Sequence, residues 1–206
     1  MEPTALATAR LTLRPHRPED VEEVLAACQD PEIQRWIPVP LPYGRAEAEA
    51  YVLGTVPGGW REGTEFNFAA RLTEHPDGAD GPGPLVASVA VVPRGPHAHE
   101  IGYWAAPGHR GRGLMTEAVL AAARWAFTEA GCVRLVWRAG VGNAGSRAVA
   151  EKAGFRIEGV QRAGMEHRGT LRDCWVGALL PSDLGLPSRL PYLPAPDRVP
   201  IVSGGA

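Results

Sequence analysis

The chain has 206 residues, of which 45% are hydrophobic and 21% charged, with a formal net charge of −2. That length supports one domain with a substantial core, and the near balance of charge argues against the broad basic surface that nucleic-acid binding needs. Cys28, Cys132 and Cys174 are odd in number and widely spaced, which disfavours a disulfide framework or zinc motif.

Taken in order, residues 11–14 alternate as a short first strand. Residues 17–28 read as a helix. Pro18 suits its first turn, the acids complement the positive end of the dipole, and Val21, Val24, Leu25 and Cys28 share one apolar face. Residues 31–44 form a proline-punctuated connection carrying Trp36, Ile37, Leu41 and Tyr43, and 45–53 a second helix stopped at Gly54. Residues 66–72 alternate as a half-buried strand, 74–84 are a turn-rich hairpin loop, and 85–92 and 100–104 are the next strands. A helix over 113–130 turns Glu117, Arg124 and Thr128 outward and ends at Gly131. After a strand at 133–139, Asn143 caps a helix stopped by Gly154, and strands at 156–160 and 172–180 close the fold. The domain is placed at 1–184, with 185–206 a proline-rich irregular tail. Strands and helices do not alternate strictly, so the expected fold class is α+β, a mixed sheet of six or seven strands flanked by helices.

The most specific stretch is Pro107-Gly-His-Arg-Gly-Arg-Gly-Leu-Met-Thr-Glu-Ala118, a turn that runs straight into the long helix. Gly111 and Gly113 allow close backbone approach to a ligand. The helix start offers unpaired amides and positive potential, and Arg110 and Arg112 add charge. The combination reads as a pyrophosphate cradle, and by itself it also reads as an ordinary strand-to-helix turn that is rich in glycine. It is not a P-loop, because Leu114 and Met115 follow Gly113 where lysine and a hydroxyl would be needed. Nor is it a dinucleotide fingerprint, because Thr116 stands at the third glycine position. His97-Ala-His99 lacks a third ligand at suggestive spacing, so no metal is expected.

Arg110-Gly-Arg-Gly-Leu-Met115 fits the Arg/Gln-x-x-Gly-x-Gly/Ala loop of acyl-CoA N-acyltransferases except at Met115. A second block, Asn143-Ala-Gly-Ser146 through Gly154-Phe155 to Glu158-Gly159, resembles that of the GNAT superfamily, in particular its RimJ/RimL-like branch. Leu11-Thr-Leu-Arg14 with Asp20, Ile101-Gly-Tyr-Trp104 and Gly169-Thr-Leu-Arg-Asp173 extend the likeness in family order over residues 10–184.

The resemblance implies a GNAT fold: a mostly antiparallel sheet with a splay between two parallel strands, here 100–106 and 133–139. It implies acetyl-CoA as cosubstrate and direct transfer to a primary amine in a ternary complex. The acceptor is a protein N-terminal α-amine or a small-molecule amine; succinyl transfer and a non-enzymatic CoA sensor are the alternatives. Trp104, Ala105 and Ala106 are then placed along the pantetheine arm, and Arg110, Gly111, Arg112, Gly113, Leu114, Met115 and Thr116 around the pyrophosphate. Asn143 is a helix cap that the family also sets against the pantetheine. Ser146 is either the acid that protonates the departing thiolate or a capping-turn serine. Glu100 and Glu166 are the candidate bases, each of which also reads as a solvated surface acid. His99 alternates away from Glu100. Trp36 is a candidate wall of the acceptor pocket. A homodimer is a family expectation. The location expected is cytoplasmic, with no membrane partner, since no signal-peptide-like run or spanning apolar stretch is seen.

Overall fold

The computed structural model describes residues 1–75 and 82–194. Eight strands form one sheet in the order β1-β2-β3-β4-β5-β6-β8-β7. They are β1 (Leu6–Ala7), β2 (Leu11–Arg14), β3 (Phe66–Leu72), β4 (Leu85–Pro93), β5 (Ala98–Ala105), β6 (Arg134–Gly140), β7 (Arg156–His167) and β8 (Thr170–Leu179). The helices are α1 (Val21–Cys28), α2 (Pro31–Trp36), α3 (Arg45–Glu49), α4 (Val56–Glu62), α5 (Leu114–Thr128) and α6 (Ala144–Lys152). All neighbouring strands are antiparallel except β5 and β6. The mixed α+β architecture is as expected, with one strand more than the six or seven anticipated. The addition, β1, is a two-residue pairing of Leu6 with Leu13 and Ala7 with Thr12, too short to show a period of its own.

Both faces of the sheet are covered. On one, α5 lays Leu114, Met115, Ala118, Val119, Ala122, Ala123 and Ala126 onto the strands, and its alanines let the backbone approach closely. Trp60, Phe66, Phe68 and Trp125 pack there with ring centroids 5.1–5.6 Å apart. On the other face, Val21, Val24, Ile33, Tyr43, Ala48 and Val52 form a second cluster, against which Trp104 and Ala106 pack.

Several helix boundaries differ from expectation for identifiable reasons. Residues 31–44 are not all connection. Asp30 accepts from the Glu32 and Ile33 amides, Pro31 occupies the first turn, and α2 runs to Trp36. The second helix does not stop at Gly54. The chain passes from α3 through a π-helical stretch, Ala50–Thr55, into α4, with the Val56 amide reaching the Tyr51 carbonyl. The widened register absorbs Pro57, which has no amide to give, and the helix ends at Gly63, φ 70°. Asp20 does not serve an exposed helix start: it is fully buried between Arg14 and Arg71. Glu117 belongs to no solvent stripe either, since Arg10 and Thr8 hold it. The hairpin loop over 74–84 lies partly outside the described residues. So does the tail beyond 194, but Leu184 and Leu186 pack on the core and the Arg189 guanidinium donates to the Thr128 carbonyl (2.9 Å). The start of the tail therefore runs along the end of α5. No helix among the described residues is long and apolar enough to cross a membrane.

One feature of the sheet positions the site. β5 and β6 are paired only from Ala98 with Arg134 to Ile101 with Trp137. Beyond that point Gly102–Ala105 stays on β4 and Arg138–Gly140 stays on β8. The two inner edges separate, leaving backbone groups facing a gap in the middle of the sheet.

Candidate active site

The turn between β5 and α5 closes one end of this gap. Gly111 and Gly113 have φ of 74° and 76°, the left-handed conformation that a Cβ opposes. The first rung of α5 is the Glu117 amide on the Gly113 carbonyl, at 3.1 Å. The amides of Leu114, Met115 and Thr116 therefore precede the intrahelical ladder, where the dipole adds positive potential. Arg10 buttresses this geometry: its Nε donates to Glu117 Oε2 (2.7 Å) and its Nη1 to the Arg112 carbonyl (3.1 Å). Thr8 Oγ1 donates to Glu117 Oε1 (2.6 Å). Leu114 and Met115 send their side chains into the core, so their contribution at the surface is main-chain. Burial, and then the Arg112 charge, lowers the pKa of His109 beside the turn.

A cavity of about 470 Å³ opens between this turn, the separated strand ends and α2. It brings together Trp36, Trp104, Ala105, Arg110, Gly111, Met115, Asn143 and Ser146, all singled out from the sequence. It also brings in Glu32 and Tyr103, which were not.

On the α6 side, Asn143 Oδ1 accepts from the Ser146 amide (3.1 Å), the capping role expected. Ser146 Oγ accepts from the Trp137 indole N–H (3.0 Å). An accepting hydroxyl keeps its own proton free to donate elsewhere. Tyr103 donates its hydroxyl to the Ser146 carbonyl (2.8 Å), and burial pushes its pKa up, so it stays a donor. Ser146 is thus held from both sides of the gap, by a β5 side chain and a β6 side chain.

On the opposite wall, the Trp36 ring lies over the end of β6. A Cβ on Gly140 or Gly142 would meet that ring at 3.5 Å. Its indole donates to Glu32 Oε2 (3.2 Å), and the Arg35 guanidinium sits 4.9 Å from the ring centroid. The tip of the β7–β8 hairpin reaches the same wall: Arg168 donates to the carbonyls of Gln34 (2.9 Å) and Val39 (3.3 Å).

Glu100, Ala106, Arg112, Gly113, Leu114, Thr116 and Glu166 are not on the cavity lining, whereas Arg110 is. The Ala106 amide is engaged by the Val86 carbonyl (2.9 Å). Arg112 Nη1 lies 3.4 Å from His109 Nδ1. Glu100 accepts from Arg94 Nε (3.1 Å) at the closed base of the gap, paired in the sheet with Val136. Glu166 pairs with Leu171 near the tip of the hairpin. His99 is buried. The Arg110 side chain is turned across the cavity mouth: Nη2 and Nη1 donate to Asp30 at 3.0 and 3.3 Å, and Nε donates to the Ala105 carbonyl at 3.2 Å. Burial opposes ionisation of Asp30. The Arg110 guanidinium and the two α2 amides nevertheless hold its pKa below the ordinary value.

A sheet that parts between two parallel strands, with the free amides of a helix start at one end of the gap, is the arrangement that the resemblance to acyl-CoA N-acyltransferases implies. Residues 10–156 match the family described as an acetyltransferase (GNAT) domain, and the chain belongs to the GNAT family. A curated relative, YjcK of Bacillus subtilis, named as a probable N-acetyltransferase, is 42% identical over 85 residues, covering 40% of this chain and 46% of that protein. The chain therefore spans less than half the length of that relative. Mycobacterium smegmatis RimJ, solved with a CoA disulfide, superposes with a TM-score of 0.76 at 23% identity, covering 90% of this chain and 92% of that one. RimL, a ribosomal L7/L12 alpha-N-protein acetyltransferase, superposes at 0.73 with 18% identity, covering 87% and 96%. At those identities the likeness is one of fold.

Proposed function

We propose that this chain is an acetyl-CoA-dependent N-acetyltransferase that delivers the acetyl group to a primary amine by direct attack in a ternary complex. The leading acceptor is a protein N-terminal α-amine. The observation that carries the reading is the parted sheet beside the glycine turn. Unpaired edges of Gly102–Ala105 and Arg138–Gly140 suit an extended amide-bearing arm, and the amides of residues 111–116 suit the diphosphate at its end. The CoA disulfide bound to RimJ agrees with this choice of cosubstrate, and the α-N-protein acetyltransferase activity named for RimL agrees with this choice of acceptor.

In this reading, catalysis is mainly alignment, with modest proton management. Backbone amides around Trp104 and Ala105 receive the thioester carbonyl. Ser146, its lone pair engaged by Trp137, donates its proton to the departing thiolate. The acceptor enters past Trp36 and Glu32. An α-amine has an ordinary pKa of about 8, so a water chain to a carboxylate suffices as base. Glu32 on the cavity wall and Glu100 at the base of the gap are the two nearby acids such a chain can serve, and Glu166 remains a candidate only for an acceptor bound along the hairpin.

Calorimetric titration with coenzyme A tests the cradle. Gly111→Val places a branched side chain where φ is 74° and no neighbouring atom lies within 4 Å of the new Cβ. The fold is therefore retained at a backbone cost of about 1–2 kcal/mol, while the Cβ obstructs the amides. Coenzyme affinity is expected to fall about a hundredfold, by analogy with lost charge-assisted bonds of about 1.5–3 kcal/mol. Unchanged affinity, or no binding by the parent protein, rejects the reading. On the acceptor side, Trp36→Ala is expected to raise KM for a peptide amine about tenfold with coenzyme binding intact, measured by thiol release across peptide, amino-acid and polyamine acceptors.

A further inference from the structure

We infer that Asp30 and Arg110 form a strut that ties the coenzyme turn to the acceptor wall, so that Arg110 serves acceptor positioning and not the diphosphate. The inference rests on the N-acetyltransferase reading and assigns two residues a task within it. Arg110 is the first residue of the arginine-glycine motif, and the obvious task for its guanidinium is to meet phosphate. The geometry points elsewhere. The guanidinium spans from the Ala105 carbonyl, where β5 ends at the gap, to the Asp30 carboxylate. That carboxylate simultaneously receives the Glu32 and Ile33 amides at 2.8 and 3.0 Å and so begins α2.

Three pieces meet in that one contact: the strand edge beside the thioester position, the start of the coenzyme turn and the helix that carries Glu32 and Trp36. A six-residue helix of this kind has little stability of its own. Its placement over Gly140 and Gly142 depends on what anchors its two ends. Arg168 holds the C-terminal end through the Gln34 carbonyl. Asp30 holds the N-terminal end through Arg110. The pair is only partly exposed, 37% for the Arg110 side chain and 13% for that of Asp30, and the planar fork matches a carboxylate in a way that lysine cannot. Arg110 and Asp30 are positioning residues: they act through α2, which forms the wall.

The test uses Asp30→Asn, which keeps an amide-accepting oxygen for the α2 cap but removes the charge, together with Arg110→Gln, Arg110→Lys and the double variant Asp30→Asn/Arg110→Gln. A strut predicts faster hydrogen exchange of residues 31–37 in all three single variants without any ligand. It predicts an acceptor KM raised about tenfold in each, a coenzyme A dissociation constant within about twofold of the parent, and a double variant no worse than the poorer single one, as for two residues sharing one interaction. Arg110→Lys should behave as Arg110→Gln. If the guanidinium belongs to the diphosphate, the signs differ. Arg110→Gln then weakens coenzyme binding, Asp30→Asn strengthens it by releasing the arginine, and lysine rescues; any of these results overturns the inference. So does unchanged exchange of α2 in Arg110→Gln. A parent protein that fails to bind coenzyme A at all would reject the proposed function, while the exchange measurement would still decide the strut.

Discussion

Ser146→Ala is expected to lower kcat about a hundredfold, within the range for loss of a general acid, while the coenzyme dissociation constant changes less than threefold. The backbone at this position is secured independently of the hydroxyl. Asn143 takes the Ser146 amide and Tyr103 donates to its carbonyl, and both contacts survive in alanine. What is lost is the Oγ that accepts from Trp137. Trp137 is 1% exposed, so its indole N–H is left buried without that acceptor, costing about 1–3 kcal/mol of stability. The variant should therefore melt a few degrees lower and bind coenzyme nearly as before. A purely structural serine predicts the same fall in melting temperature with kcat unchanged, so stopped-time thiol release at saturating acceptor separates the two. Ser146→Cys, which keeps a weak donor and acceptor, should recover part of kcat, an outcome that packing alone would not produce.

The parts of the site that lie close together in sequence could be read before the structure. The glycine turn, the alternation of β3 through β5 and the Asn143 cap are each encoded within about ten residues, where local steric preference decides conformation. α2 was legible in principle, because Asp30-Pro31-Glu32 is a helix start. It was obscured by Pro38, Pro40 and Pro42 immediately beyond, which make the whole segment read as a connection. With α2 went Glu32, which stands on the cavity wall. Gly54 and Pro57 were misleading for a different reason. Their usual meaning as helix breakers assumes α geometry, and the π-helical stretch changes which amides need partners. The pairs that brace the site, Arg10 with Glu117 and Arg110 with Asp30, join residues 107 and 80 positions apart. No periodicity in one sequence specifies such pairings. The charges at Arg110 and Arg112 were visible, but their direction was not: one crosses to α2, and the other approaches His109.

The largest effect on stability is expected from Asp20→Ala, which should lower the melting temperature at neutral pH by about 10 °C. Asp20 is fully buried. Arg14 grips it with both terminal nitrogens (2.6 and 2.9 Å), Arg71 Nη1 adds a third contact (2.7 Å) and the Arg17 amide a fourth (2.8 Å). Removing the carboxylate leaves Arg14 and Arg71 buried around a hole. Breaking such a group from one side costs about 3–5 kcal/mol, and a chain of this size loses about 2–4 °C per kcal/mol. Arg71 retains Glu23 (2.6 Å), so Arg14 bears most of the loss. Replacing Arg14, Asp20 and Arg71 together by Met, Leu and Met should cost less than Asp20→Ala alone, because it removes the stranded charges.

The same cluster sets the acid response. Burial opposes ionisation of Asp20, but the Arg14 fork and the Arg17 amide outweigh it and hold its pKa below the ordinary value. Its contribution is therefore present above the unfolded value of about 3.9 and is lost as pH falls through the lower folded value. His16 acts earlier. Packed against Ser88 (3.0 Å) with no exposed side-chain surface, it has its pKa driven by burial down to about 4. Between about 6.5 and 4 the unfolded chain takes up a proton that the folded one refuses, so stability falls with acidification by about 3 kcal/mol. Melting temperatures at pH 7, 5.5 and 4.5 should drop in the parent and drop less steeply in His16→Gln, which keeps a group able to bond Ser88 while His99, His109 and His167, each lowered by burial, still contribute. Parallel pH profiles for the two proteins would show that His16 does not set this slope. A parent that melts equally well with Asp20→Ala would show the arginines to be satisfied without their central carboxylate.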